Sequence, residues 1–242
     1  MKLREFLQQQ GFSRRKIIAA IDAGQIFLNE IKVESYGIDI QEGDEVVCEE
    51  KSWRCGTTPD QTDSHLLAFH KPIGYVCSKA DPHNAIIYEL LPKEYHGWYY
   101  IGRLDRESRG LVLMTNDPKM VDQYEHPRHG ITKEYLVTLN KSFRKQDAET
   151  CLAGIHDQDE FLQCVECHPL DPTSYQKYEH YLLPNLVKSA SCVMRIVLNE
   201  GKKRHIRRMM STLRYHVEDL VRIREGKVEL GDLKEGEIKI FS

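Results

Sequence analysis

The 242-residue sequence contains no apolar run approaching the roughly 20 residues that a membrane-spanning helix needs. Its opening, Met-Lys-Leu-Arg-Glu-Phe-Leu, lacks the apolar core of a signal peptide. It also lacks a basic excess: a net charge of −3 argues against a strongly basic nucleic-acid coat, so a polyanion would have to be met by local basic patches. There is no disulfide framework either. Seven cysteines, odd in number and irregularly spaced, predict reduced thiols and a cytoplasmic location. What is present is the apolar and charged content of a globular chain of one or two domains, long enough to bury a substantial core.

Chemistry concentrates in residues 101–118, I-G-R-L-D-R-E-S-R-G-L-V-L-M-T-N-D-P. The apolar part, 111–114, is short, preceded by glycine and closed by turn residues, which predicts a buried strand. The polar part before it predicts a loop feeding that strand. If this loop is extended, Arg103 and Asp105 share a side and Leu104 faces away. A carboxylate beside a guanidinium stays ionised, which suits Asp105 to act as a nucleophile rather than a proton donor. Taken alone, an Arg-x-Asp is usually an ordinary surface ion pair.

Residues 1–48 read as a small separate unit. Leu3, Phe6 and Leu7 recur at helical spacing. Ser13 is a good N-cap for a second helix over 14–23, with Ile17, Ile18 and Ile21 on its inner face and Gly24 as its stop. Strands are expected over 25–29 and 44–48. Arg14, Arg15 and Lys16 crowd the first helical turn, where the macrodipole disfavours cations. They form either a solvated face or, with the helix amides, a phosphate site. Residues 49–64 are polar and aperiodic and read as a flexible linker.

In residues 65–242, a strand, a Lys-Pro-x-Gly turn and a short strand come first, with Lys71 either a solvated turn lysine or a phosphate ligand. A short helix is expected over 85–91, and the rings of 96–100 either pack in the core, the favoured reading, or stack on bases. A helix over 119–124 follows, then an alternating strand over 131–139 on which Lys133, Tyr135 and Val137 share a face. A helix over 143–153 precedes Cys164-Val165-Glu166-Cys167-His168, which matches the C-x-x-C-H of haem attachment and half of a zinc site. Both are rejected: no second cysteine pair stands at zinc spacing, and side chains three apart diverge along a strand. Residues 171–190 read as a loop-rich excursion and 191–198 as a strand. Asn199-Glu200-Gly201 then turns into a basic helix over 202–213. Ile206, Met209, Met210 and Leu213 lie on one side of it and Arg204, Arg207 and Arg208 on the other. Those arginines are either solvated or a polyanion surface.

Several of these strings together resemble the pseudouridine synthases named for ribosomal small-subunit and large-subunit enzymes. The strings are G-R-L-D-x-x-S-x-G-L-x-L-x-T-N-D, K-P-x-G-Y-V-C-S, the K-x-Y after H-P, E-G-x-x-x-x-I-R-R-M and V-x-x-L-x-R. G-F-S-R-R-K with I-x-x-G-x-I-x-L-N and E-G-D-E-V resembles the S4 RNA-binding domain. The resemblance implies an α+β fold: an S4-like domain over 1–48, a linker over 49–64, and a synthase domain over 65–242. The synthase domain would have a large mixed, mainly antiparallel sheet in two halves around a cleft. The linker would then tether a module that raises the effective RNA concentration at the catalytic domain.

The resemblance also implies roles: Asp105 as the essential catalytic residue, Tyr135 against the target base, and Arg207 as the basic partner of Asp105. Arg103 and Lys71 would position phosphates, and Arg14, Arg15, Lys16, Arg204 and Arg208 would contact RNA. The expected protein is a monomer acting on ribosomal RNA or a pre-ribosomal particle, with no cofactor, no metal and no membrane. The motifs around Lys71 and Leu111 favour 16S RNA, and the E-G-K-K-R-H string suits 23S RNA equally. Glu107 and Ser108 stand where the family has Asp and Thr, and Arg109 where a small residue is common, departures that bear on loop shape. A non-catalytic RNA-binding or assembly protein is the alternative, disfavoured because binding alone needs no aspartate facing a polyanion.

Overall fold

The computed structural model describes residues 1–10, 12–35, 37–49, 51–55, 64–187 and 192–241, and divides the chain into two units, Met1–Ser64 and His65–Ser242. In the first unit, helices α1 (Leu3–Gln9) and α2 (Arg14–Asp22) share a core with strands β1 (Ile26–Leu28), β3 (Glu45–Cys48) and β4 (Lys51–Arg54), while β2 (Ile31–Lys32) is exposed at the sheet edge. The strands pair antiparallel in the order β2-β1-β3-β4. Ser13 Oγ caps α2 by accepting the Lys16 N–H at 3.2 Å. The inner face of α2 is narrower than expected. Ile17 and Ala20 are buried, whereas Ile18 is 38% exposed, because one residue on turns the helix by about 100°.

The linker expected over 49–64 also starts later. Lys51–Arg54 is strand β4, paired with β3 from Glu45↔Arg54 to Cys48↔Lys51, and Trp53 meets Phe12 edge-on at 5.7 Å. β4 is an edge strand with most side chains in solvent, so its polar composition hid its pairing. Within that expectation, residues 50 and 56–63 lie outside the described residues.

The second unit runs β5 (Leu66–Lys71), β6 (Tyr99–Ile101), β7 (Arg109–Thr115), α3 (Pro118–Glu125), β8 (Lys133–Leu139), α4 (Lys145–Ala153), β9 (Ile155–Asp157), β10 (Glu160–Leu162) and β11 (Glu166–Pro169). It continues with α5 (Pro172–Tyr178), α6 (Pro184–Val187), β12 (Cys192–Leu198), α7 (His205–Thr212), β13 (Val217–Glu225), β14 (Val228–Glu229) and β15 (Ile238–Phe241). Nine of these strands form one mixed sheet in the order β11-β12-β8-β13-β7-β5-β15, with β6 added on β7 and β14 on β13. Every pairing is antiparallel except β7 with β13. With its helices this is an α+β fold.

All seven residues of β7 are buried, because both faces of the sheet are covered. Val112 and Met114 join a core with Phe69, Tyr135, Ile196 and the apolar side of α7. Leu111 and Leu113 point the opposite way, into a second core with Leu136, Val193 and Val221 against which Met120 and Val121 of α3 pack. Gly110 adopts φ +108°, and a Cβ there would lie 2.4 Å from the Arg222 carbonyl, so only glycine lets β7 approach β13 this closely.

Of the stretch 171–190, residues 171–187 are more regular than their prolines suggested, and 188–190 lie outside the described residues. Asp171 caps α5 by accepting the Ser174 N–H at 2.7 Å, and Pro172 occupies the first turn, where a missing N–H costs nothing. Arg109, bulky for its position, is buried and ties this excursion to the sheet. Its guanidinium donates to both Asp219 carboxylate oxygens (3.1 and 2.7 Å) and to the Tyr181 carbonyl (2.6 Å). Asp219→Ala, which strands this cation, should lower unfolding stability by about 3–5 kcal/mol in urea titration. The paired change Arg109→Met with Asp219→Leu should recover most of that loss. An unchanged midpoint for Asp219→Ala would refute a structural role for the pair.

Candidate active site

The three central strands bring distant parts of the sequence together by register. Arg222 of β13 pairs with Gly110 of β7 on one side and with Tyr135 of β8 on the other. Gly110 closely follows the loop that carries Asp105, so the register places Tyr135 and Arg222 beside that loop. A cleft of about 800 Å³ opens there. Arg103, Arg106, Lys133, Lys202, Lys203, Arg204, Arg207 and Arg222 line it, against only two carboxylates, Asp105 and Glu125. A chain of net charge −3 has thus concentrated eight cations in one concavity.

Within the loop, Leu104 turns into the core, and its N–H reaches Cys77 Sγ at 3.5 Å. Arg103 is exposed and Asp105 half-buried, and both face the cleft. The Asp105 carbonyl accepts the Ser108 N–H at 3.0 Å, closing a tight turn. Glu125 accepts the Gly102 N–H at 2.5 Å, and the Gly74 N–H donates to the Arg106 carbonyl at 2.8 Å. The backbone groups of the loop are therefore tied to residues on either side of it.

Lys71 does not hold a phosphate. It is fully buried, and its Nζ donates to the Ser108 carbonyl at 2.6 Å and the Pro72 carbonyl at 3.0 Å, behind the loop. Burial pushes its pKa down to about 8, against the attraction of Cys77, Asp105 and Glu107. Arg207 also differs from expectation: it makes no ion pair with Asp105. Its Nη2 donates to the Glu107 carbonyl (2.9 Å) and Ser108 Oγ (3.3 Å), and its Nη1 to the Val217 carbonyl (3.1 Å). These acceptors engage both terminal nitrogens while Nε is buried without a partner, and the guanidinium acts on Asp105 through its field.

Tyr135 is buried at the cleft floor, where loss of solvent pushes its phenol pKa up while the adjacent Arg222 guanidinium opposes the shift. Arg222 is itself buried, with Nε on the Leu111 carbonyl at 2.6 Å and Nη2 3.3 Å from Glu225. Glu225, fully buried, also faces Lys133 at 3.4 Å. The sequence reading assigned Arg222 no role. The available signal was an arginine inside the apolar run Leu220-Val221-Arg222-Ile223, a charge that a buried strand would not carry without partners.

Of the residues expected to touch RNA, Arg204 lines the cleft, but Arg208 is turned away. Arg208 Nε contacts Asp157 at 2.5 Å and its Nη1 pairs with Glu160, so the β9–β10 hairpin has neutralised it. In the first unit, Arg14 and Arg15 are exposed on α2, while Lys16 pairs with Glu49 at 3.0 Å. The C-x-x-C-H string also behaves differently from a continuous strand. β11 begins only at Glu166, and a bend at Val165 turns Cys164 inward with Cys167, where both thiols meet Cys151. Among the described residues no group of three His, Cys, Asp or Glu is arranged to hold a metal ion, and no helix is long and apolar enough to cross a membrane.

Residues 65–212 match the family model described as RNA pseudouridylate synthase. The chain is 28% identical over 241 residues to ribosomal large subunit pseudouridine synthase B of Buchnera aphidicola, covering 98% of this chain and 88% of that protein. It is 30% identical over 183 residues to ribosomal small subunit pseudouridine synthase A of Escherichia coli, covering 74% and 71%. A crystal structure of a pseudouridylate synthase shares the fold, with a TM-score of 0.66 at 24% identity over 100% of this chain and 96% of that one.

The buried position of Lys71 has a measurable consequence. Its folded pKa lies below its ordinary value of 10.5, so the folded state binds fewer protons than the unfolded state between about pH 8 and 10.5. The burial penalty is fully present below that window and is relieved as pH rises through it. Comparing urea unfolding of wild type and Lys71→Met at pH 7 and pH 10, the difference should move in favour of wild type by roughly 1–3 kcal/mol. A pH-independent difference would place the ammonium in solvent.

Proposed function

The chain belongs to the RNA pseudouridylate synthase family, and from that premise we propose that it isomerises one uridine of ribosomal RNA to pseudouridine with Asp105 as its catalytic carboxylate. The observation that carries this reading is a half-buried aspartate on a braced loop, beside a buried tyrosine, in a cleft lined by eight cations. The cations suit a polyanion. An aspartate facing that polyanion is unfavourable for binding alone, and its presence argues for chemistry. Glu125, the other carboxylate, is already engaged by the Gly102 N–H.

In the reaction, the N1–C1′ bond breaks, the uracil turns, and a C5–C1′ bond forms. The isomerisation is redox-neutral and conserves every atom, so it calls for no external reagent. The target base leaves its stack to enter the cleft, at a cost of a few kcal/mol that favours loops and partly assembled RNA. Asp105 serves as the attacking or proton-relaying carboxylate, and Tyr135, kept protonated by burial, packs on the flipped base. Arg207 acts by fixing the turn that presents Asp105 and by its positive field. Arg103 and Arg204 take phosphates at the mouth, and the unit Met1–Ser64, with Arg14 and Arg15, adds S4-type RNA binding. Such a protein would work as a monomer in the cytoplasm.

The strings around Lys71 and Leu111 favour 16S RNA as the target. The 23S reading is favoured by one observation: the large-subunit relative aligns over 98% of the chain. Pseudouridine mapping of both RNAs, from cells lacking the gene and complemented with wild type or Asp105→Asn, decides between them. One site should vanish on deletion and return only with wild type. In vitro, Asp105→Asn should lose activity by on the order of 10³-fold or more while RNA affinity stays within about threefold. If no site changes, or Asp105→Asn restores it, the catalytic assignment is wrong.

A further inference from the structure

Arg204 stands just before α7 in a left-handed conformation, φ 52°, which places its guanidinium at the mouth of the cleft. There its Nη1 donates to Glu107 Oε2 at 2.8 Å, with the two side chains 41% and 55% exposed. Arg204 holds the Glu107 carboxyl below its usual range, so the group is charged at neutral pH. The loop does not need this carboxylate for its shape. Arg207 holds the Glu107 carbonyl, and Lys71 holds that of Ser108. The Glu107 side chain is therefore free to leave while its backbone stays in place.

We propose that Glu107 stands in for an RNA backbone phosphate, and that Arg204 exchanges this carboxylate for the phosphate as substrate enters. The proposal rests on the RNA-modifying reading above and adds the residue that sets how readily RNA is admitted. An exposed ion pair is weak. A phosphate offers the guanidinium a fork of charged oxygens, and its binding releases counterions. The other cations of this segment are arranged differently. Arg208 carries Asp157 and Glu160 outside the cleft, and Lys202 pairs with Glu200 of its own turn. Arg207 also reaches the turn that carries Asp105, but through a carbonyl and a hydroxyl; among the described residues the ion pair between a cleft-lining cation and that turn is Arg204–Glu107. RNA that fails to present a phosphate at this point meets a satisfied guanidinium and an unneutralised carboxylate, and is disfavoured. Glu107 is thus a specificity-setting residue that makes no contact with the reacting atoms.

The test is a double-mutant cycle on binding of an unmodified, in vitro-transcribed ribosomal RNA fragment, titrated at several salt concentrations. Glu107→Gln should tighten Kd by about three- to tenfold. Arg204→Ala should weaken binding and flatten the slope of log Kd against log salt by about 0.7–0.9, one phosphate contact. In the Arg204→Ala background the gain from Glu107→Gln should vanish. A gain that persists there would reduce Glu107 to general charge repulsion and overturn the exchange. Weaker or unchanged binding by Glu107→Gln alone would overturn it as well. Product formation by wild type is scored separately, so a failure of the isomerase reading is visible without bearing on the cycle.

Discussion

Lys71, buried without solvent, donates to the Ser108 and Pro72 carbonyls, and Arg207 reaches the same turn from α7 through the Glu107 carbonyl and Ser108 Oγ. The rest of the site depends on this bracing. A surface turn of four residues carries little rigidity of its own, and the side chain of Asp105 can be aimed only if its backbone is held. Charge-assisted donors to carbonyl oxygens are stronger than neutral ones, and burial removes the water that would compete for them. Desolvating the ammonium is costly, and the downward shift of its pKa records that cost. Such a cost persists where the position of a neighbouring group is worth more to the protein than the stability lost.

The same logic runs through the central strands. Gly110 lets β7 come close to β13, Arg222 occupies the register position that results, and Tyr135 lies across from it. Arg222 and Lys133 share the buried Glu225, so two cations and one carboxylate leave net positive charge beneath the cleft. This field, with the cations at the mouth, explains how a mildly acidic chain presents a surface suited to RNA. Composition averages over the whole surface, whereas a polyanion responds to the local potential within about 10 Å.

The structure also shows how unusual residues are accommodated. Arg109, large and charged in a buried strand, is matched by Asp219, 110 residues away in sequence but on the neighbouring strand β13, and it fastens the 171–187 excursion through Tyr181. Arg208 has been drawn to the β9–β10 hairpin by two acidic side chains. In each case the arginine is satisfied by a partner that lies 50 or more residues away, and for Arg208 that partner removes it from the residues expected to meet RNA.

Local pattern determined a good deal here. The alternation that turns Leu104 inward and leaves Arg103 and Asp105 facing the cleft is a property of adjacent residues, as is the apolar side of α7 at Ile206, Met209 and Met210. The buried strand at 111–114 and the Ser13 cap were legible for the same reason: their signals span a few residues. The motif strings pointed to Asp105, Tyr135 and Arg207 as one set, and the fold brings all three to one cleft. Only the tertiary structure decided that Lys71 braces the turn instead of meeting a phosphate, that Arg207 grips carbonyls instead of Asp105, and that Arg222 belongs to the site. It also revealed β4 within a stretch that read as linker and α5 within one that read as loop. The reason is common to all of them. A charged side chain's role is set by which partner the folded chain brings within about 3 Å, and no local periodicity encodes a partner contributed by a distant strand.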